Sequence, residues 1–216
     1  MRYYISDLHF SHENLNTNMD NRGFSNKETM NEHMIRQWNS RVRKNDDVII
    51  LGDFCISRDG KEVNEILNAL KGRKYLIVGN HDKFLDDRSF DPGKFVWIKE
   101  YAELKDNKRK VILSHYPIMC YNGQYYQNEK GDPKTVMLYG HVHNTFDEVL
   151  VNNYINTTRT HKRAIMGSTE EKNIPCQMIN CFCMFSEYVP LKLDEWVTLD
   201  KKRREAMNND ASILLQ

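Results

Sequence analysis

Five short apolar runs punctuate the chain, and each ends in the same restricted set of polar residues. Arg2-Tyr-Tyr-Ile-Ser6 leads into Asp7-Leu8-His9, Asp47-Val-Ile-Ile-Leu51 into Gly52-Asp53, and Lys74-Tyr-Leu-Ile-Val78 into Gly79-Asn80-His81-Asp82. Lys110-Val-Ile-Leu-Ser114 leads into His115, and Thr135-Val-Met-Leu-Tyr139 into Gly140-His141-Val142-His143. Continuous apolar runs of this length read as strands covered on both faces, as in parallel sheets. Ligand sites of open α/β sheets lie outside the carboxyl ends of the strands. The pattern therefore predicts parallel strands whose ends deliver Asp, Asn and His to one place.

Helical spacing fills the intervals. Ser25 is expected to cap a helix over about 26–40, with Glu28 completing a capping box. Met30, Met34, Ile35 and Trp38 recur on one face of it and form a core stripe. A crossover helix over 62–70 turns Val63, Ile66, Leu67 and Leu70 inward and is closed by Gly72. Strands over 95–104 and 108–113, joined by the polar turn 105–108, predict an antiparallel pair and hence a second sheet. The tyrosine-rich stretch 119–132 reads as a loop over the site, and 144–175 as a long polar segment with a basic centre at 157–163. A closing strand pair over 177–185 and 189–193 precedes a helix over 194–207, and the last residues are expected to fray.

A length of 216 residues suits one domain, 1–216, carrying the two insertions 119–132 and 144–175. A net charge of +1 gives no global electrostatic case for a nucleic-acid or membrane surface. No apolar run approaches transmembrane length, and the chain enters its first strand with no signal peptide. Five cysteines form no paired framework. Free thiols in the cytoplasm are the expectation, with Cys55 a small buried apolar residue.

Of the eight histidines, His9, His81, His115, His141 and His143 all fall at strand ends, together with Asp7, Asp53 and Asn80. A lone histidine is ordinarily a core or surface residue; this grouping is not explained that way. Imidazole and carboxylate suit borderline metals such as zinc, iron and manganese. The donors are too numerous for one tetrahedral ion and fit two ions that share a carboxylate, an arrangement that carries out displacement at phosphorus. Two divalent ions bring +4, two carboxylates −2 and a bridging hydroxide −1, so roughly +1 remains to receive a phosphate anion.

The ordered set Asp-x-His, Gly-Asp, Gly-Asn-His-Asp, His and Gly-His-x-His, from Asp7 to His143, resembles the calcineurin-like metallophosphoesterases. Asp7-Leu-His-Phe-Ser-His-Glu-Asn14 and the closing stretch Ile179 to Trp196 resemble a small bacterial and phage branch of that family. The resemblance implies a four-layer α/β fold, a β-sandwich of two mixed sheets flanked by helices. It implies that Asp7, His9, Asp53 and His143 hold one divalent metal and that Asp53, Asn80, His115 and His141 hold a second, as Mn²⁺, Fe²⁺ or Zn²⁺. It also implies that His81 assists the leaving oxygen and that Asp82 orients His81.

Two residues are further candidates for substrate contact. His12 either touches substrate or is an ordinary loop residue. Arg22 could hold a phosphate oxygen through its planar fork, or be a solvated loop arginine. The expected activity is hydrolysis of a phosphodiester or nucleotide-type phosphate ester by attack of the bridging hydroxide. A phosphomonoesterase, a nuclease acting on DNA or RNA, and a non-catalytic metal-binding scaffold are the alternatives. The expected partner is a small phosphate ester; a long nucleic acid is less favoured, and no membrane is expected.

Overall fold

The computed structural model describes residues 1–164 and 169–213, with side chains through 207. Its first sheet contains β1 (Arg2–Ile5), β2 (Asp47–Leu51), β3 (Arg73–Ile77) and β4 (Phe95–Lys99), in that spatial order and all parallel. The second sheet takes in β5 (Tyr101–Asp106), β6 (Arg109–Ser114) and β7 (Thr135–Tyr139). A short hairpin, β8 (Lys162–Ala164) with β9 (Glu171–Asn173), stands apart from both. The final strand, β10 (Met178–Asn180), completes the second sheet in the order β10-β7-β6-β5, where only the β5–β6 pair is antiparallel.

Side-chain alternation along these strands produces the layers. Tyr3, Ile5, Val48, Ile50 and Leu76 face outward from the first sheet onto helix α1 (Lys27–Arg41), through Met30, Met34 and Trp38, and onto α2 (Gly60–Ala69), through Val63 and Leu67. Their neighbours Tyr4, Ile49, Leu51 and Ile77 face the other way and meet Val111, Leu113, Val136, Leu138 and Ile179 of the second sheet. The outer face of that sheet, with Ile112, Met137, Tyr139 and Met178, is covered by Val151 and Ile155 of α3 (Phe146–Thr160). Helix α4 (Leu193–Ile213) closes one margin: Trp196 is buried between the sheets and donates its indole N–H to the Tyr4 carbonyl at 2.8 Å. The four-layer sandwich is thus written in the odd and even positions of each strand.

Several boundaries differ from the sequence expectation. Asn26, not Ser25, caps α1, its side chain accepting from Thr29 N–H at 2.8 Å. The run 95–104 breaks at Glu100 into β4 and β5, which belong to different sheets. Periodicity cannot show that break, because both halves are half-buried extended chain. Segments 177–185 and 189–193 do not pair with each other: Asn180 ends β10, and Leu191 bridges back to Tyr4. The stretch 144–175 holds α3 and the hairpin; its residues 165–168 lie outside the described residues, as do 214–216 of the tail expected to fray, whose residues 208–213 instead continue α4. Among the described residues no helix is long and apolar enough to cross a membrane.

Trp38 is fully buried under the first sheet and donates to the Lys71 carbonyl at 2.9 Å, joining α1 to the end of α2. Trp38→Ala is expected to cost about 3–5 kcal/mol of stability. Urea denaturation checks this as a lowered midpoint with an unchanged slope.

Candidate metal centre

The ends of β1, β2, β3, β6 and β7 lie along one edge of the sandwich, and each hands over its polar residue there. Asp7, His9 and His143 converge as one donor group, and Asp53, His115 and His141 as another, with donor atoms in each group within 4.8 Å of one another. Asn80 joins the second group: its Oδ1 is 3.0 Å from both His115 Nε2 and His141 Nδ1. His141 and His143, two residues apart, therefore serve different groups. The two groups meet at a single atom. Asp53 Oδ2 lies 3.4 Å from His9 Nε2 and 3.4 Å from His115 Nε2.

This convergence requires unusual backbone. Asp7 (φ 55°), His9 (φ 48°), Asp53 (φ 52°), His141 (φ 70°) and His143 (φ 47°) are all left-handed. Such a conformation costs a non-glycine residue about 1–2 kcal/mol, and observed strain of this kind gathers at functional sites. Close approach adds a steric demand at the residues before the ligands. A Cβ on Gly79 would fall 2.2 Å from Asp53 Oδ1, and one on Gly52 would fall 2.3 Å from His115 Nδ1.

Hydrogen bonds lock the loops in place. His81 donates its backbone N–H to Asp53 Oδ1 at 2.8 Å, and His141 donates its own to Asp7 Oδ1 at 2.9 Å. His115 Nδ1 meets the Leu51 carbonyl at 2.8 Å, which makes it the donor and leaves Nε2 facing the centre. Asp82 accepts the backbone N–H groups of Gly79 (2.8 Å) and Asp53 (3.1 Å) on Oδ2 and that of Phe54 (2.7 Å) on Oδ1. The expectation that Asp82 orients His81 is corrected by this: its carboxylate is spent on the backbone of the Asp53 loop. The His81 ring makes no hydrogen bond among the described residues. It stands 5.3 Å from the His9 ring and 6.4 Å from the His12 ring. His12 is thereby placed beside the donor groups, half-buried.

Arg22 is also reassigned. Its side chain has no solvent exposure. It donates to Asp20 Oδ2 through Nε, with Nη2 in ion-pair contact with the same oxygen, to the Leu8 carbonyl through Nη1 at 2.6 Å, and to the Asp7 carbonyl through Nη2 at 2.9 Å. A guanidinium turned onto these partners, with no solvent exposure, is not presented to substrate. Two residues at the centre were not anticipated from sequence. Asp20 lies 2.7 Å from His143 Nδ1, and nothing in the polar loop around it marks it out. Tyr116 directly follows His115, which was the available signal. Its half-exposed ring packs 4.5 Å from that of His141.

The tyrosine-rich stretch does not cover the centre. Lys134 N–H donates to the Tyr126 carbonyl, and the Lys134 carbonyl accepts from Lys110, at the opposite, starting ends of β6 and β7. Five-residue strands put those ends roughly 17 Å from the ligands. Tyr125 and Tyr126 instead line a cavity of about 620 Å³ with Lys134, Arg163 and Lys172.

The donor set fits a cation. His9 Nε2 and His143 Nε2 are 3.2 Å apart, and donors bound at about 2.1 Å to one ion are spaced by roughly 3–3.5 Å. Burial disfavours charge on part of the donor set. Burial pushes the His9 imidazole well below its usual value and the Asp7 carboxyl above its own. His115 and Asp53 behave oppositely: burial opposes the His115 charge, but the carboxylates of Asp53 and Asp7 raise it to about 9, and His115 in turn holds Asp53 well below the usual carboxylate range. The carboxylates thus draw a proton into a place that divalent charge would fill.

Fold and site together define a metal-binding α/β sandwich of the hydrolase kind. The Calcineurin-like phosphoesterase superfamily domain matches residues 2–162. An uncharacterized protein of Methanocaldococcus jannaschii is 34% identical over 202 residues, spanning 93% of this chain and 91% of the other. The Gene 66 protein of Mycobacterium phage L5 is 26% identical over 166 residues, 65% of this chain and 76% of that protein. A solved protein of unknown function from Aquifex aeolicus shares the fold with a TM-score of 0.61, at 24% identity over 92% of this chain and 98% of its own. The chain belongs to the calcineurin-like phosphoesterase superfamily, whose members are metallophosphoesterases that usually hold divalent metals.

Gly79→Ala is expected to displace Asp53 and lower the uptake of divalent metal. Gly93→Ala, whose added Cβ meets the Asp91 carboxylate, with Oδ1 nearest at 3.0 Å, is expected to leave uptake unchanged. Equilibrium dialysis of both variants against Mn²⁺ makes the comparison.

Proposed function

We propose that this chain is a dinuclear metal-dependent phosphoesterase acting on a phosphodiester or nucleotide-type phosphate ester. The observation that carries the reading is the shared position of Asp53 Oδ2, equidistant from an imidazole nitrogen of each donor group. Asp7, His9, His143 and Asp53 would hold one ion; Asp53, Asn80, His115 and His141 would hold the other. Nitrogen and oxygen donors without thiolate suit Mn²⁺, Fe²⁺ or Zn²⁺. Ions bound there supply an activated water and positive charge that offsets the phosphate.

The protein side chains do the remainder. Asp53 and Asp7 hold the positive charge at the strand ends. His81 lies beside the donor groups with a ring that makes no hydrogen bond among the described residues, so it can give a proton to the leaving oxygen. Its backbone N–H to Asp53 Oδ1 fixes its main chain relative to the bridging carboxylate. His12, on the same side, is positioned to touch the ester. Tyr116 offers a flat apolar surface next to His141, which favours an ester with an aromatic portion such as a nucleobase.

Two divalent ions per chain are expected when the purified protein is loaded with Mn²⁺ and its metal content measured. Hydrolysis of bis-p-nitrophenyl phosphate should appear with the metal and vanish with a chelator. A stoichiometry of one with full activity would remove the dinuclear reading.

His81→Ala should retain both ions but lower turnover by about 10²–10⁴-fold. The loss should be smallest for a p-nitrophenolate leaving group and largest for an alkoxide, which needs the proton more. Equal losses for the two would assign His81 some other role.

A further inference from the structure

We propose that Asp20 is a positioning residue for His143, and that through Arg22 the same carboxylate locks the Asp7 loop against the His143 loop. This rests on the metal-binding reading given above.

Asp20 Oδ1 is 2.7 Å from His143 Nδ1, across 123 positions of chain. The two side chains are 1% and 3% exposed, so water cannot substitute for either partner. A carboxylate oxygen at this distance requires a proton on Nδ1. A neutral His143 then keeps a free lone pair on Nε2, and Nε2 is the nitrogen that faces the donor group, 3.2 Å from His9 Nε2 and 3.6 Å from Asp7 Oδ1. The other contacts of His143 do not make this choice. Phe182 packs on its ring at 4.6 Å, and Asn180 donates to its carbonyl at 2.7 Å. A hydrocarbon face and a main-chain contact leave the ring free to turn over, exchanging nitrogen for carbon. Asp20 removes that freedom. Carboxylate partners of ligating histidines do this for metal sites in general.

The second oxygen of Asp20 reaches further. Oδ2 accepts from Arg22 Nε at 2.9 Å and pairs with the charge on Nη2 at 2.8 Å. Arg22 in turn holds the carbonyls of Asp7 and Leu8. Asp7 and His143 follow strands of different sheets, β1 and β7. One buried carboxylate therefore ties together the ends of both sheets at the first metal position, where it adds a side-chain link to the main-chain contacts that His141 makes to Asp7 and Asn180 makes to His143.

Asp20→Asn separates orientation from packing. An asparagine of the same shape accepts from Arg22 through its oxygen and turns its amide toward His143. Nδ1 must then accept, the proton moves to Nε2, and the ligand is blocked. Calorimetric titration with Mn²⁺ is expected to show two equivalents for the wild type. For Asp20→Asn one equivalent should weaken by about 10–100-fold while the other changes little, and the metal-free melting temperature should stay close to wild type. Two equivalents of unchanged affinity would overturn the proposal. So would equal weakening of both equivalents with a large fall in metal-free melting temperature, since that describes packing alone. A wild-type protein that takes up no divalent ion would remove the metal reading itself and the proposal with it. If Asp20→Asn does not fold, long-range ¹H–¹⁵N spectra of the zinc-loaded wild type decide the matter. A retained Nδ1 proton on His143 supports the assignment; an unprotonated or metal-bound Nδ1 overturns it.

Discussion

Asp53 holds a carboxylate between two sets of histidines while its own backbone is left-handed and its side chain almost wholly buried. Its two oxygens have separate work. One accepts the His81 amide at 2.8 Å, and the other faces an imidazole nitrogen of each donor group. A buried carboxylate in an apolar interior is costly unless several groups favour its charge. Burial tends to raise its pKa, and the hydrogen bond and charge of His115, with the His81 backbone amide, hold it well below the usual carboxylate range instead. The donor groups around Asp53 are thus an electrostatic requirement of one another. Removing either set of imidazoles would leave an under-compensated charge in the core.

The same constraint explains the shape of the loops. A strand that simply continued would carry the next polar residue past the edge of the sheet. A left-handed residue turns the chain back over the strand ends, so donors from separate strands can meet. The conformational cost is borne by surrounding contacts that over-determine each loop. Asp82 gathers three backbone amides around Asp53, Asp7 receives the amide of His141, and Cys183 and Arg22 both hold the Asp7 carbonyl. Few of these contacts involve the candidate ligands' donor atoms, which stay free for the chemistry.

This division accounts for what could be read from the sequence. Strand-end placement of Asp7, Asp53, Asn80, His115, His141 and His143 was legible because parallel strands are short apolar runs with a defined end. The partition of the core was legible from the alternation of Tyr3 and Ile5 against Tyr4. Asp20 was not, because its role comes from meeting a histidine 123 residues away, and its own neighbourhood is an ordinary polar loop. The error over Arg22 has the same origin: sequence gives its charge and not the two carbonyls that consume its fork. The family resemblance implied that Asp82 orients His81; backbone geometry at the strand end sends its side chain to the Asp53 loop instead. The split of 95–104 between two sheets is a matter of which edge each half meets, and local pattern does not contain that.

The two sheets contribute unequally but jointly. Asp7, His9, Asp53 and Asn80 follow strands of the first sheet, whereas His115, His141 and His143 follow strands of the second. Each donor group draws on both. An ion bound to either group would therefore clamp the sheets across the apolar layer formed by Ile49, Leu51, Val136 and Leu138. Ligands that bind only the folded state add stability by mass action, about 2.7 kcal/mol for one site at a concentration a hundred times its dissociation constant. That gain is available only if sliding one sheet over the other separates the donors. The shared Asp53 oxygen makes the coupling tighter, because movement of the β2 end disturbs both groups together. The buried Asp20–Arg22 pair resists the same motion from the other side, between the ends of β1 and β7. The strained edge of the sandwich is thus also a place where its two sheets are tied to each other, so an ion bound there would act on the same degree of freedom as sheet packing.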